Sequence, residues 1–438
     1  MKRVALRVVL ALLVLIAVLA AIVVALNFRD EDEIPATAAS FSPTREQVAR
    51  GEYLARAGNC SACHTARGGA PYAGGRAIAT PFGTIYSTNI TPDARTGIGT
   101  WTPAYFWRAM HNGRSKDGRL LYPAFPYTEY TLITREDSDA IFAYLWSVPA
   151  VEQPRRMHEL RFPYDNQIAL AVWRALFFEP KQFEPDSARP ADWNRGAYLV
   201  RGLGHCIACH SARNVLGASS DVELSGGLIP AMGWYAPSLV SRDEAGVADW
   251  HAADIVTLLK SGASPRGSTM GPMAEVVFRS TQYLSNEDLT AMAAYLKALP
   301  QAPPKETDPP WWSWFTGRRT PRGPAEEFRR QGAQIYEKSC AGCHGDHGEG
   351  AVGAYPALAG NRAVTLHVPA NVIRAVLSGG YLPATAGNPR PYGMPPFSHV
   401  LSDEEIAAVL SYIRSAWGNA AQPVSPLEVL QYRSVRGK

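Results

Sequence analysis

The chain has 438 residues, of which 46% are hydrophobic and 19% charged, with 43 basic and 39 acidic side chains and a net charge of +4. That length and balance exclude a disordered, collagenous or disulfide-dense small protein, and the near-even charge gives no reason to expect nucleic acid as a partner. They allow two to four domains, and the most informative count is the smallest, six cysteines.

Taken in chain order, Met1-Lys2-Arg3 and Arg7 precede an uncharged run over 8–26, followed by Asp30, Glu31, Asp32 and Glu33. As a helix that run reaches about 28 Å, close to the hydrocarbon thickness of a bilayer. Positive charge before it and acid after it predict a single-pass anchor at 1–28, with the body of the chain exported. A cleaved secretory signal is the competing reading. Its core is normally shorter, and here Ala36-Thr37-Ala38 lies some ten residues past the run.

The cysteines then fall in three pentapeptides: Cys60-Ser61-Ala62-Cys63-His64, Cys206-Ile207-Ala208-Cys209-His210 and Cys340-Ala341-Gly342-Cys343-His344. Their spacing, about one small domain each time, marks an array of similar units. Ahead of them stand Gly51 with Tyr53, Gly196 with Tyr198 and Gly332 with Tyr336. Each unit closes on an acid-led apolar helical pattern, at 136–146, 287–299 and 403–417, around Tyr144, Tyr295 and Tyr412. Each unit therefore reads as two crossing helices, a Gly of the first allowing close approach and a Tyr of the last filling the contact.

Two thiols three residues apart on a helical turn suit addition to the vinyl groups of one porphyrin, and the following His points at its iron. That is the c-type haem reading of C-x-x-C-H. A zinc site needs paired knuckles, and a thioredoxin-like site needs a βαβ pattern, and neither is present. The expectation is three covalent haems c, on Cys60, Cys63, Cys206, Cys209, Cys340 and Cys343, with His64, His210 and His344 as proximal iron ligands. Each axial His needs an acceptor for its other ring nitrogen. Tyr355-Pro356-Ala357-Leu358 and Ala236-Pro237-Ser238-Leu239 are equivalent loops that offer one.

A sixth ligand of Met type suits electron transfer. Met394, before the last helix, fills it in the third unit. In the second, alignment of the closing helices selects Met273, with Met270 behind it and Met292 as core. The first unit departs from this pattern. Phe125, in Tyr122-Pro123-Ala124-Phe125-Pro126-Tyr127, stands where Met would sit. His111 is the candidate there, with Met110, Met157 and His158 as alternatives, or no sixth ligand at all.

The connectors differ from the units in being rich in Pro and aromatics, with Trp173, Phe177 and Phe178 in the first and Trp311, Trp312 and Trp314 in the second. The domain reading is an anchor at 1–28, cytochrome domains at 45–150, 191–300 and 326–420, linkers at 151–190 and 301–325, and a tail at 421–438. The fold class is all-α, with three tandem class I cytochrome c-like domains after a transmembrane helix.

With these motifs the sequence resembles the tri-haem cytochrome c subunits of bacterial membrane-associated alcohol, aldehyde and gluconate dehydrogenases. The resemblance also rests on Asn89-Ile90-Thr91-Pro92-Asp93, Thr96-Gly97-Ile98-Gly99, Gly271-Pro272-Met273-Ala274 and Met394-Pro395. It implies a subunit on the periplasmic side of the inner membrane that takes electrons from a dehydrogenase catalytic subunit and passes them to ubiquinone or a terminal oxidase. It implies no substrate chemistry in this chain alone. Phe125 and the anchor look more like the cytochromes that accompany molybdopterin-type dehydrogenases of aldehydes or N-heterocycles. Quinoprotein alcohol dehydrogenases and flavin gluconate dehydrogenases are the alternative partners. A haem peroxidase using an open first haem is the alternative of another class.

Overall fold

The computed structural model describes residues 2–34, 41–219, 223–229, 231–301, 326–351 and 353–434. Trp311, Trp312 and Trp314, and with them the second linker, lie outside the described residues. The chain divides into two compact units. One holds residues 1–185 with 201–205 and 215–218. The other holds 186–200, 206–214 and 219–438, so most of the second repeat shares a unit with the third.

In the first unit a 27-residue helix, Lys2–Phe28, is long and apolar enough to cross a membrane, and none of its apolar window is buried against the described residues. Its last turn is fastened to the domain. The Asn27 side chain donates to the Ala171 carbonyl at 2.9 Å and accepts from Arg174 at 2.9 Å, while its own carbonyl accepts from Arg114 at 2.8 Å. The opening helix Arg45–Ala57 starts at a capping box in which Thr44 and Gln47 satisfy each other's orphan backbone amides. The closing helix Arg135–Ser147 is capped by Thr134.

The second repeat opens on Ala191–Ala197, which widens into a π-turn over Tyr198–Leu203, and closes on Asn286–Lys297. Ten residues separate Gly196 from Cys206, against nine from Gly51 to Cys60, and a π-turn is how a helix absorbs one extra residue. The third repeat opens on Glu326–Ser339 and closes on Asp403–Ser415, which carries a second capping box from Ser402 and Glu405.

The crossing is the same in all three. A Cβ built on Gly51 would stand 1.8 Å from the Ala140 carbonyl oxygen and 2.9 Å from Tyr144 Cβ. For Gly196 the figures are 2.0 Å to the Ala291 oxygen and 2.9 Å to Tyr295 Cβ, and for Gly332 they are 2.2 Å to the Ala408 oxygen and 2.9 Å to Tyr412 Cβ. Only hydrogen fits there, and the Tyr closes the space beside it. Arg50 reaches the buried Asp137 and Arg195 pairs both nitrogens with Asp288 at 2.8 Å, so two of the crossings also carry an ion pair. In the third, Gln331 replaces the arginine, and Glu405 turns back onto its own helix cap.

Four short antiparallel sheets accompany the helices among the described residues, so the architecture is mainly rather than wholly helical. The segment read as a C-terminal tail includes the helix Pro426–Ser434, which seats Val429 in the core of the third repeat, with Arg433 bonded to Asp403 at 2.6 Å.

Candidate functional site

Each pentapeptide forms a single helical turn: Cys60–His64, Ile207–His210 and Ala341–His344. His64 Nδ1 donates to the Thr88 carbonyl at 2.7 Å, His210 Nδ1 to the Pro237 carbonyl at 2.7 Å, and His344 Nδ1 to the Pro356 carbonyl at 3.0 Å. A carbonyl can only accept, so Nδ1 carries the proton and Nε2 keeps a free lone pair in all three rings. Burial lowers all three imidazole pKa values and keeps the rings neutral, as a metal ligand requires. Burial also pushes the Cys60 and Cys206 thiols up to about 12 and Cys340 to about 11, so none of them is poised as a free thiolate. Paired thiols on one turn beside a fixed, neutral imidazole are the donor set that a covalent haem uses, and these residues fit it.

The two Tyr/Ala-Pro loops expected to supply carbonyls do so through Pro237 and Pro356. The first repeat uses Thr88, which has no Pro beside it and was not singled out from the sequence. Its signal was the adjoining motif. Asn89 Oδ1 accepts from the Thr91 amide and hydroxyl at 2.9 and 2.7 Å, and Asp93 accepts from the Thr96 amide and hydroxyl at 2.6 and 2.7 Å. Gly97 and Gly99 sit where a Cβ would stand 2.2 Å from the Thr91 oxygen and 2.3 Å from the Pro92 oxygen. The Asn-Ile-Thr-Pro-Asp stretch is thus a loop locked on itself that holds the preceding carbonyl in place. Arg76 and Arg213 were also missed. They donate to the Ala62 and Ala208 carbonyls, the same position of the first and second pentapeptides.

The sixth-ligand candidates are placed as follows. Met394 lies in a two-residue ladder, paired with Gly380, and packs partly buried against the third core. Gly379 (φ +62°) presses on it, since a Cβ there would stand 2.2 Å from the Met394 oxygen. Met273 lies in the first turn of Gly271–Arg279, half-buried, and Met270 caps that helix. Met292 is buried within the closing helix. In the first repeat Phe125 packs 5.5 Å from the Tyr130 ring, and Tyr130 donates to the Gly58 carbonyl two residues before Cys60. Met110 is buried and Met157 exposed.

His111 is held by the Thr131 carbonyl through Nδ1 at 2.8 Å and stacks on Trp107 at 4.3 Å. It lines a cavity of about 430 Å³ with Phe28, Asp30, Asp32, Trp107 and Lys181, and no pentapeptide residue lines that cavity. His158 accepts the Tyr86 amide through Nδ1, which puts its proton on Nε2, the opposite tautomer from the three axial rings. His205, to which the sequence reading gave no role, packs edge-on to Tyr130 at 5.4 Å.

This fold and donor set define a c-type cytochrome. The family described as cytochrome c matches residues 48–149 and 330–417. The chain is 40% identical over 386 residues to the cytochrome c subunit of alcohol dehydrogenase (quinone) from Gluconacetobacter polyoxogenes, covering 85% of this chain and 81% of that one. It is 38% identical over 390 residues to the gluconate 2-dehydrogenase cytochrome c subunit of Pantoea cypripedii, covering 86% of each. It is 41% identical over 370 residues to one of the nicotinate dehydrogenase subunits of Pseudomonas putida, covering 83% of this chain but 30% of that one. The chain belongs to the family of dehydrogenase cytochrome c subunits, electron-carrying components of membrane-associated oxidoreductases.

Proposed function

We propose that this chain carries three covalent haems c, one per crossing-helix repeat, and relays electrons from a periplasmic dehydrogenase catalytic subunit to an acceptor in the inner membrane. The observation that supports it is the threefold recurrence of one geometry: a Cys-x-x-Cys-His turn whose imidazole is fixed by a backbone carbonyl. Haem c, when bound, supplies a one-electron iron couple. The protein's part is to hold each Nε2 toward the iron, to exclude water with the crossed helices, and to offer Met273 and Met394 as sixth ligands in the second and third repeats. Arg76 and Arg213 place a cation beside two of the pentapeptides, which favours the less positive, reduced state. Alkaline pyridine spectra against polypeptide concentration test the count. Three haems per chain are expected, and one or two would refute the reading.

The partner fits best as a molybdopterin-type dehydrogenase of an aldehyde or N-heterocycle, which Phe125 and the likeness to the nicotinate dehydrogenase protein, over 83% of this chain, support. A quinoprotein alcohol dehydrogenase or a flavin gluconate dehydrogenase is the alternative. Identification of the proteins that co-purify with the chain decides between them. Lys2–Phe28 reads as a retained anchor, because cleavage at Ala36-Thr37-Ala38 would remove Asn27 and Arg29, which bond the domain. On the acceptor side, between ubiquinone and a terminal oxidase, the His111 cavity beside the end of that helix favours the quinone.

One observation favours a second reading of the first haem alone. Phe125 stands at the aligned ligand position, and Phe cannot bind iron, which leaves a peroxidase-like open site as the alternative. Carbon monoxide added to the reduced protein separates the two. Stoichiometric binding at one haem supports the open site, and no binding supports a pure carrier.

A further inference from the structure

The helix Gln167–Phe177 has a face that none of the described residues covers. Its sequence, Gln-Ile-Ala-Leu-Ala-Val-Trp-Arg-Ala-Leu-Phe, has no acidic residue and one basic residue, Arg174. That arginine is buried, bonded to the Asn112 carbonyl at 2.7 Å and to Asn27 Oδ1 at 2.9 Å. Leu170 is buried on the same side. The opposite side carries Ile168, Val172 and Leu176 at i, i+4 and i+8, with 75%, 42% and 66% of their surfaces exposed. Beside it Trp173 donates to the Leu216 carbonyl at 2.9 Å, which brings exposed Leu216 and Val215 alongside the stripe. A single exposed Leu needs no explanation, but three apolar residues in register on a helix with its one charge turned inward do.

The position of the helix says what covers them. Asn27, the first polar residue after the apolar run of Lys2–Phe28, bonds the Ala171 carbonyl at the middle of Gln167–Phe177, and Arg29 bonds the Phe178 carbonyl at its end. Ala171 therefore sits at the height where the spanning helix leaves the hydrocarbon. An amphipathic helix at that height, with a Trp on its flank, has the features of a segment that lies in the interfacial plane.

We propose that Gln167–Phe177 is a second membrane contact of this chain, lying along the bilayer surface with Ile168, Val172 and Leu176 among the acyl chains. The proposal rests on the reading of Lys2–Phe28 as a membrane span. It gives the first repeat a fixed height and tilt on the membrane, because two contacts joined through Asn27 constrain what a lone anchor leaves free to rotate. It also sets the His111 cavity, which begins one residue beyond Asn27 at Phe28, at the level of the lipid headgroups.

The test is hydrophobic photolabelling of the full haem-loaded chain in phosphatidylethanolamine–phosphatidylglycerol vesicles, with a diazirine carried on a lipid acyl chain and no other protein present. Peptides from 2–28 and from 167–177 should both take label. In the triple variant I168D/V172D/L176D, whose changes fall on exposed positions, the label at 167–177 should be lost while that at 2–28 persists and the Soret spectrum is unchanged. Label confined to 2–28 in the wild-type chain overturns the proposal and assigns the stripe to a partner protein. Absence of label from both peptides overturns the membrane-span reading together with it.

Discussion

The helix crossing that builds each repeat predicts a specific sensitivity at Gly51. In Gly51→Ala the new Cβ meets the Ala140 carbonyl oxygen at 1.8 Å and Tyr144 Cβ at 2.9 Å, where ordinary contact begins at 3.4 Å. The obstructing oxygen is backbone and cannot rotate away, so the two helices must part by more than 1 Å. That loosens the buried side chains between them, Leu54 and Ala55 on one side and Ala143 and Phe142 on the other. Overpacking of this kind costs about 1–3 kcal/mol, and the clash with backbone places it at the upper end. Ala returns about 1 kcal/mol through its better helix propensity. The net loss is about 2 kcal/mol, which for a compact unit of this size lowers Tm by roughly 6 °C. Gly196→Ala and Gly332→Ala, with contacts of 2.0 and 2.2 Å, should follow in that order. Gly387→Ala, where a Cβ meets only Ser261 Cβ at 3.8 Å, is the control. Thermal unfolding of the full chain, followed at 222 nm and in the Soret band, reads the effect. A Gly51→Ala protein that melts with the control would refute the close-approach argument.

Met394→Ala should leave the third haem attached while lowering its potential by on the order of 0.1 V, part of the roughly 0.8 V range that axial ligands set. A redox titration superimposable on wild type would remove Met394 as a ligand, and Met273→Ala makes the same test for the second repeat. Cys206→Ala should lower the haem count by one or leave one haem singly attached, and mass spectra showing loss at all three sites would mean the repeats do not mature independently. His158 is held neutral by burial first and by Arg155 and Arg119 second, which lower its pKa from 6.5 to about 4. The unfolded chain therefore binds a proton that the folded chain refuses, so stability falls as pH drops from about 6.5 toward 4. His158→Gln should flatten that part of the stability–pH curve, measured by denaturant midpoint, and an unchanged slope would sink the assignment.

What the sequence determined by itself is what depends on short, fixed spacing. A Cys-x-x-Cys-His run makes one helical turn with its thiols and imidazole in a set relation wherever it stands, so three pentapeptides were legible without a fold. The Gly and Tyr of the crossing were legible for the same reason, since both sit at constant places on their helices. Met394 was put forward as the one Met of the third repeat and Met273 by aligning its closing helix with that one, and the loops of Pro237 and Pro356 from their likeness to each other. Tertiary structure alone decided what depends on which distant segments meet. Thr88 is unremarkable as a residue, and only the folding of the Asn89–Asp93 loop brings its carbonyl to His64. His111 read as a candidate iron ligand near a helix end, and only the fold brings the Thr131 carbonyl to its Nδ1 and stacks it on Trp107 at a cavity by the anchor, a contact set by residues 20 apart in one case and a helix stack in the other. The linker 151–190 read as rich in Pro and aromatics, and within it Arg174 is drawn inward by Asn27, 147 residues away. A buried guanidinium must find carbonyls wherever the fold supplies them, and that requirement, invisible in local sequence, is what turns the apolar side of Gln167–Phe177 outward.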